Sequence, residues 1–300
     1  MSKQGVSSEG VLLKTKQYKK KSQWAQAWRR LCRNKGAIAG LVIFILLLTM
    51  ALSAPYVFDY DEVVIGTNMS RRLQGPTGDH PFGTDELGRD ILARVAYGAR
   101  TSLSIGVIVC ALALIMGSAL GAVSGFFGGK TDNILMRVMD IFLALPGPLL
   151  AICIVAALGA STRNLIIALT VSSVPGFARV MRGPVLTVRD VEYVEAAKAI
   201  GARKRTIILS HVLPNCMAPV FVHTALSMAG VILSVAGLSF LGLGISPPAP
   251  EWGSMLASSR DFIRDHSYMA LFPGLAIMLT ILSLNLLGDG LRDALDPRLK

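Results

Sequence analysis

Glu195-Ala196-Ala197-Lys198-Ala199-Ile200-Gly201, followed after nine residues by His211-Val212-Leu213-Pro214, forms a charged island between long apolar runs. Asp190 is placed to cap a helix, because its carboxylate can accept hydrogen bonds from the unpaired amides of a first turn. Val191 to Ile200 holds no helix breaker, and Tyr193, Ala196, Ala197 and Ile200 recur on one face. Gly201 suits the end of that helix, where a left-handed backbone costs glycine least. A second short helix is expected from Arg203 to His211, running up to Pro214. Two short helices bent at a glycine, with alanines on one face, make a compact knob that another protein can grip closely.

The apolar runs on either side set the class. The 300 residues are 52% hydrophobic and 16% charged, with a mean hydropathy of +0.55. Soluble domains average about 25% charged residues, so this is the composition of a membrane protein. The net charge of +11 invites a nucleic-acid reading. The basic residues, however, gather beside apolar spans and form no stripe with interleaved aromatics, so an anionic lipid surface is their better partner. Cys32, Cys110, Cys153 and Cys216 sit in or beside apolar spans without metal-like spacing, which supports neither a disulfide framework nor a metal site.

Residues 1–36 read as a tail. Its first part is polar and Lys-rich, and 23–35 is a candidate interfacial helix with Trp24, Trp28 and Leu31 opposite Arg29, Arg30, Arg33 and Lys35. No cleavable signal is expected, because the first apolar run, 37–54, comes only after this basic tail. That run is long enough to span a bilayer. A polar loop follows over 55–100, then a five-helix core over 101–288 and a charged tail over 289–300. Within the core, Ala113, Gly117, Gly121 and Gly125 form a ridge of small residues that lets another helix approach closely in lipid. The third span breaks at Pro146-Gly147-Pro148. The fourth is short, since only 164–178 is free of charge. The fifth lies within 217–243, the sixth within 269–288, and Trp252 in the Pro-rich loop 244–268 suits a membrane interface. Placing both termini in the cytoplasm puts 22 of the 30 Lys and Arg inside and eight outside. The positive-inside rule therefore favours that orientation, with the segment 184–214 cytoplasmic.

Chemistry-bearing motifs are sparse. Ser124 to Thr131 comes close to a phosphate-binding loop, but Ser124 stands where glycine is needed and no strand precedes it. His80, His211, His223 and His266 have no metalloprotease spacing, and there is no Gly-x-Ser-x-Gly elbow. His223 lies alone in the fifth span, as a pathway-lining group or a packed one. The charge-free cores of the spans hold no Asp, Glu, Lys or Arg, which disfavours ion-coupled transport.

The spacing Glu-Ala-Ala, three residues, Gly, nine residues and x-x-Leu-Pro resembles the coupling segment of ABC importer permeases, with His211 where the broad family carries Ile. Phe82 to Asp90, Tyr97 to Leu103, Leu238 to Gly244, Pro250 to Gly253 and Gly288 to Pro297 are similar to the second permease of peptide and nickel importers, most of all the C-type permease of dipeptide transporters. The likeness runs over about residues 23 to 300. It implies an all-α integral membrane protein of six transmembrane helices, with the type I ABC importer permease fold, in a bacterial inner membrane. It implies a non-catalytic subunit that binds no cofactor. ATP would be used by two ATPase partners, beside a second homologous permease and an extracytoplasmic binding protein. Glu195, Ala196, Ala197, Ile200, Gly201, His211, Leu213 and Pro214 would then couple to an ATPase. Dipeptides, longer peptides, glutathione and nickel chelates all stay open as substrates.

Overall fold

The computed structural model of the chain describes residues 28–295, and among these the regular structure is helical, with no strand. In chain order the main helices are α1 (Lys35–Val57), α2 (Ile91–Phe127), α3 (Gly129–Leu143), α4 (Gly147–Leu158) and α5 (Thr162–Val188). They continue as α6 (Glu192–Ala199), α7 (Lys204–Phe240), α8 (Trp252–Ser259) and α9 (Tyr268–Leu295). Helices α1, α2, α5, α7 and α9 are each long and apolar enough to cross a membrane. The pair α3 and α4 passes the same test together but bends by 83°, giving a sixth span if counted as one broken crossing. The bend falls where Pro146 and Pro148 withhold amide donors and disfavour helical backbone before them. Of the expected interfacial helix, residues 28–31 form a helical turn with Trp28 exposed, while Trp24 lies outside the described residues.

Several boundaries differ from the sequence reading. Helix α2 begins at Ile91, ahead of the charge-free run, because Asp90 caps it by accepting from the Ala93 amide at 2.8 Å. Of the arginines this brings into the helix, the buried Arg94 is met by the preceding loop: Nη1 donates to the Val64 carbonyl at 2.8 Å and Nε pairs at 3.4 Å with Asp85, which also holds the Arg89 guanidinium at 2.6 Å. Helix α5 runs 27 residues, well beyond 164–178. It can carry Arg179 and Arg182 because each meets an α3 carboxylate, Asp140 at 2.7 Å and Asp132 at 2.6 Å. Trp252 is not at an interface. It is fully buried, and its indole N–H donates to the Val95 carbonyl at 3.0 Å, so α8 plugs the end of the bundle between α2 and α7.

Long helices of the bundle meet at backbone distance at glycines, α2 on α5 and α1 on α9. A Cβ built on Gly121 would lie 2.2 Å from the Ala178 carbonyl oxygen, and one on Gly117 would lie 2.4 Å from Phe177 Cβ, so the small-residue ridge of α2 faces α5 of the same chain. Helix α1 packs on α9 in the same manner, with a Cβ on Gly40 falling 2.7 Å from the Ser283 carbonyl and one on Gly290 2.3 Å from Ala37 Cβ. That second contact rests on single glycines far apart in sequence, and periodicity gave no sign of it.

Candidate coupling site

Helix α6 carries the Glu-Ala-Ala triplet. Its start is capped at Val191 without a side-chain bond, and Asp190 instead pairs with Arg189 at 3.1 Å. The expected Asp190 cap is therefore absent, its carboxylate being held by the neighbouring guanidinium. Glu192 and Glu195 in the first turn and Lys198 in the last still match the helix dipole. The C-terminus closes as expected. Gly201 adopts φ +78°, the Ala202 amide donates to the Ala197 carbonyl at 3.1 Å, and the Gly201 amide donates to Lys198 at 3.0 Å. A Cβ on Gly201 would meet nothing within 4 Å, so the positive φ alone calls for glycine.

The faces of α6 divide its residues. Val194 and Ala197 turn inward, with Ala197 only 6% exposed, and pack in one cluster with Ile207, Val212 and Val185. Tyr193, Glu195, Ala196 and Ile200 point outward, Ile200 being 85% exposed. The single face read from spacing is thus split: Ala197 shares the Val194 side three residues away, while its triplet neighbours Glu195 and Ala196 remain outside. The outer face of α6 thus leaves the apolar surface of Ile200 and Tyr193 uncovered within this chain.

The second short helix does not stand apart from the fifth span. Lys204 to Phe240 is continuous, with a π-helical stretch Ile207–Val212 just before Pro214. Proline lacks an amide donor, and its ring would clash with the carbonyl four residues back. The wider π register accommodates this without ending the helix. Within this stretch and just after it, His211 and Leu213 are half-buried and Pro214 is exposed, and Asn215 Nδ2 donates to the His211 carbonyl at 2.7 Å. The chain leaving α6 at Gly201 thus enters one unbroken helix.

A set of anchors missed by sequence reasoning ties together the helix ends that support α6, and ties α6 to them through Lys198. Arg182 forms a bidentate pair with Asp132, both contacts at 2.6 Å, and the Ser124 hydroxyl also donates to Asp132. Arg189 Nη1 donates to the Gly125 carbonyl at 2.9 Å, and Lys198 Nζ donates to the Arg189 carbonyl at 3.1 Å. Lys198 and Lys204 lie over the rings of Phe126 and Phe127 at 5.9 and 5.4 Å. The glycine turn after them, Gly128 at φ +63° and Gly129 at φ +53°, is where the phosphate-loop-like sequence falls; it joins two helices and follows no strand. Asp132 and Arg182 are 50 residues apart, and no local pattern pairs them. Hydrogen bonds to charged groups contribute about 1.5–3 kcal/mol each where they are shielded, and less at exposed ones such as that of Lys198.

A family model described as "Binding-protein-dependent transport system inner membrane component" matches residues 117–300, more than half of the chain and the whole of this coupling end. The chain belongs to that family. It is thus a permease subunit of an ABC importer, non-catalytic itself, with the ATPase on separate subunits. A second model, "N-terminal TM domain of oligopeptide transport permease C", matches residues 22–76 of the permease. The permease is 47% identical to the dipeptide transport system permease protein DppC of Alkalihalophilus pseudofirmus, over 95% of this chain and 93% of that protein. It is 45% identical to the di/tripeptide transport system permease protein DppC of Pseudomonas aeruginosa, covering 91% of each. It is 41% identical to the glutathione transport system permease protein GsiD of Pectobacterium atrosepticum, covering 93% of each. Its fold is similar to that in inward-facing structures of the MetNI methionine ABC transporter, with a TM-score of 0.55 at 17% identity over 67% of this chain and 96% of that one.

Proposed function

We propose that this permease forms half of the translocation pathway of an ATP-driven importer of di- or oligopeptides, and that α6 docks in a cleft on an ATPase subunit. The substrate reading is supported by the relatives whose names specify dipeptides and di/tripeptides; the glutathione relative keeps a modified tripeptide as the alternative. Within the assembly the permease pairs with a second, homologous permease above two ATPases, and a binding protein delivers cargo at the opposite end. Both termini and residues 184–214 face the cytoplasm, in line with the 22-to-8 distribution of Lys and Arg.

The observation that carries the coupling role is a helix exposed on one face and pinned on the other. Tyr193, Ala196 and Ile200 are free to be gripped, while the Val194 side, Lys198 and Arg189 tie α6 to α2, α5 and α7. Closure of the ATPases would push this knob, and the continuous α7 would carry the tilt through the membrane, shifting a two-state equilibrium between inward and outward openings. Glu195→Lys reverses a charge in the first turn, and Gly201→Val forces a β-branched residue to positive φ at about 1–2 kcal/mol. Both variants should insert and copurify with the partner permease, yet lose uptake and the response of ATP hydrolysis to loaded binding protein. Wild-type uptake in both would remove the coupling role.

A further inference from the structure

A cleft of about 320 Å³ opens between α5, α7 and the α3–α4 bend, at the low end of the size range of small-molecule sites. Its position is deep. Ser172 lies about 15 Å along α5 from Thr162, and His223 lies about 25 Å along α7 from Phe240, near the middle of that helix. No Asp, Glu, Lys or Arg lines it, yet its wall holds Ser172, Ser173, His223, Ser227 and Ser234. Polar side chains at this depth in a membrane helix are costly unless they serve each other or a passing solute.

The hydrogen bonding of this wall is specific. Ser172 and Ser173 both donate to the Leu169 carbonyl, at 3.0 and 2.7 Å, and Ser234 donates to the Gly230 carbonyl at 2.9 Å. Their protons are committed to their own helices, so what they present to the cleft is oxygen lone pairs, that is, acceptors. His223 Nε2 shares one proton with the Ser227 hydroxyl at 3.3 Å, and its ring stands edge-on to Phe177 at 4.7 Å. Nδ1 has no hydrogen-bond partner among the described residues; it donates or accepts according to the tautomer that Ser227 sets. Gly176 and Gly230 keep the wall low: a Cβ on Gly230 would meet nothing within 4 Å, and one on Gly176 would lie 3.5 Å from His223 Nε2.

From this geometry we infer that the cleft is a transit site for the main chain of a short peptide, with His223 as the residue that reads it. A peptide offers donors in its terminal ammonium and amide N–H groups, which suit the serine oxygens, and an amide carbonyl, which suits an imidazole N–H. Nothing in the wall selects a side chain by charge, and weak neutral contacts let a solute enter and leave again. The inference rests on the peptide reading above and adds the site within this chain.

The test uses the full complex in proteoliposomes, with uptake of a radiolabelled dipeptide and ATP hydrolysis stimulated by loaded binding protein as separate readouts. His223→Leu fills the same space without hydrogen bonds, whereas His223→Asn keeps a donor and an acceptor. Loss of the contact should lower the uptake rate of His223→Leu by about tenfold, with stimulated ATP hydrolysis kept, while His223→Asn stays within about threefold of wild type. A packing role predicts the reverse order, with leucine tolerated and asparagine impaired. That order, or wild-type uptake in both variants, overturns the inference. Should His223→Leu fail to copurify with its partner, the double variant Ser173→Ala/Ser227→Ala decides: a loss of similar size supports the site and unchanged uptake overturns it. A wild-type complex that imports another solute but no peptide would instead overturn the peptide reading, and the ligand assigned to the cleft with it.

Discussion

Glu251 is a carboxylic acid with no exposed surface, at the N-cap of α8, and it accepts from the Gly253 and Ser254 amides at 2.9 Å and from the Ser102 hydroxyl at 3.2 Å. Burial pushes its carboxyl above the ordinary 4.5, although those donors pull the other way. A raised folded value means that the folded state holds this proton to higher pH than the unfolded state does. Its contribution to stability is therefore complete below 4.5 and is lost as pH rises through the folded value. Glu251→Gln removes the titration. The difference in thermal midpoint, wild type minus variant, should fall as the pH of the purified complex is raised from 4.5; a difference that stays flat would show that the acid does not titrate there. At this scale Gly201 was legible, because its backbone conformation is a local property. The Asp190 cap was not, because Arg189 competes for the same carboxylate and only the folded turn decides between them.

Between elements, the tightest junction is the α2 ridge on α5. Phe177, which touches Gly117 on one side, meets His223 on the other, so the junction also sets the position of the polar cleft. Gly121→Leu would drive four heavy atoms against the Ala178 carbonyl, and overpacking of this kind costs about 1–3 kcal/mol. Gly237, inside α7 and followed by no proline, has nothing within 4 Å of its Cβ position, so Gly237→Ala gains helix propensity of up to about 1 kcal/mol without a clash. Thermal unfolding of the complex should show a lower midpoint for the first variant and an equal or higher one for the second. Equal midpoints would mean that α2 and α5 do not meet closely at Gly121. The ridge itself was visible as a four-residue repeat. Its partner was not, since a repeat of small residues says that a helix approaches and leaves open which one.

For the whole molecule the proposed orientation makes a direct prediction. Gly75, in the loop before α2, and Ser258, in α8, are both exposed at the end opposite α6. Single cysteines placed there should react with an impermeant thiol reagent applied to intact cells. Protection of both, with labelling only after the membrane is opened, would invert the topology. The ends differ in construction as well as in charge. One is closed by the 55–90 loop, with its Asp85–Arg89 pair, and by the buried Trp252; the other presents an exposed helix on anchored supports.

The sequence by itself determined that this is a helical membrane protein, where most of its spans lie, and that one glycine-terminated charged segment stands between them. These properties follow from hydropathy, from breakers and from backbone preference, all of which act within a few turns of chain. Only the tertiary structure decided the true length of α5, the continuity of α7 through Pro214, and the division of α6 into an exposed and a pinned face. Each depends on a partner distant in sequence. Asp140 neutralises Arg179, which had marked the end of the fourth span, Asp132 neutralises Arg182 beyond it, and Val185 and Ile207 bury the side of α6 that carries Ala197. A charge ends a span only while it is unpaired, and pairing across 50 residues is a property of the fold.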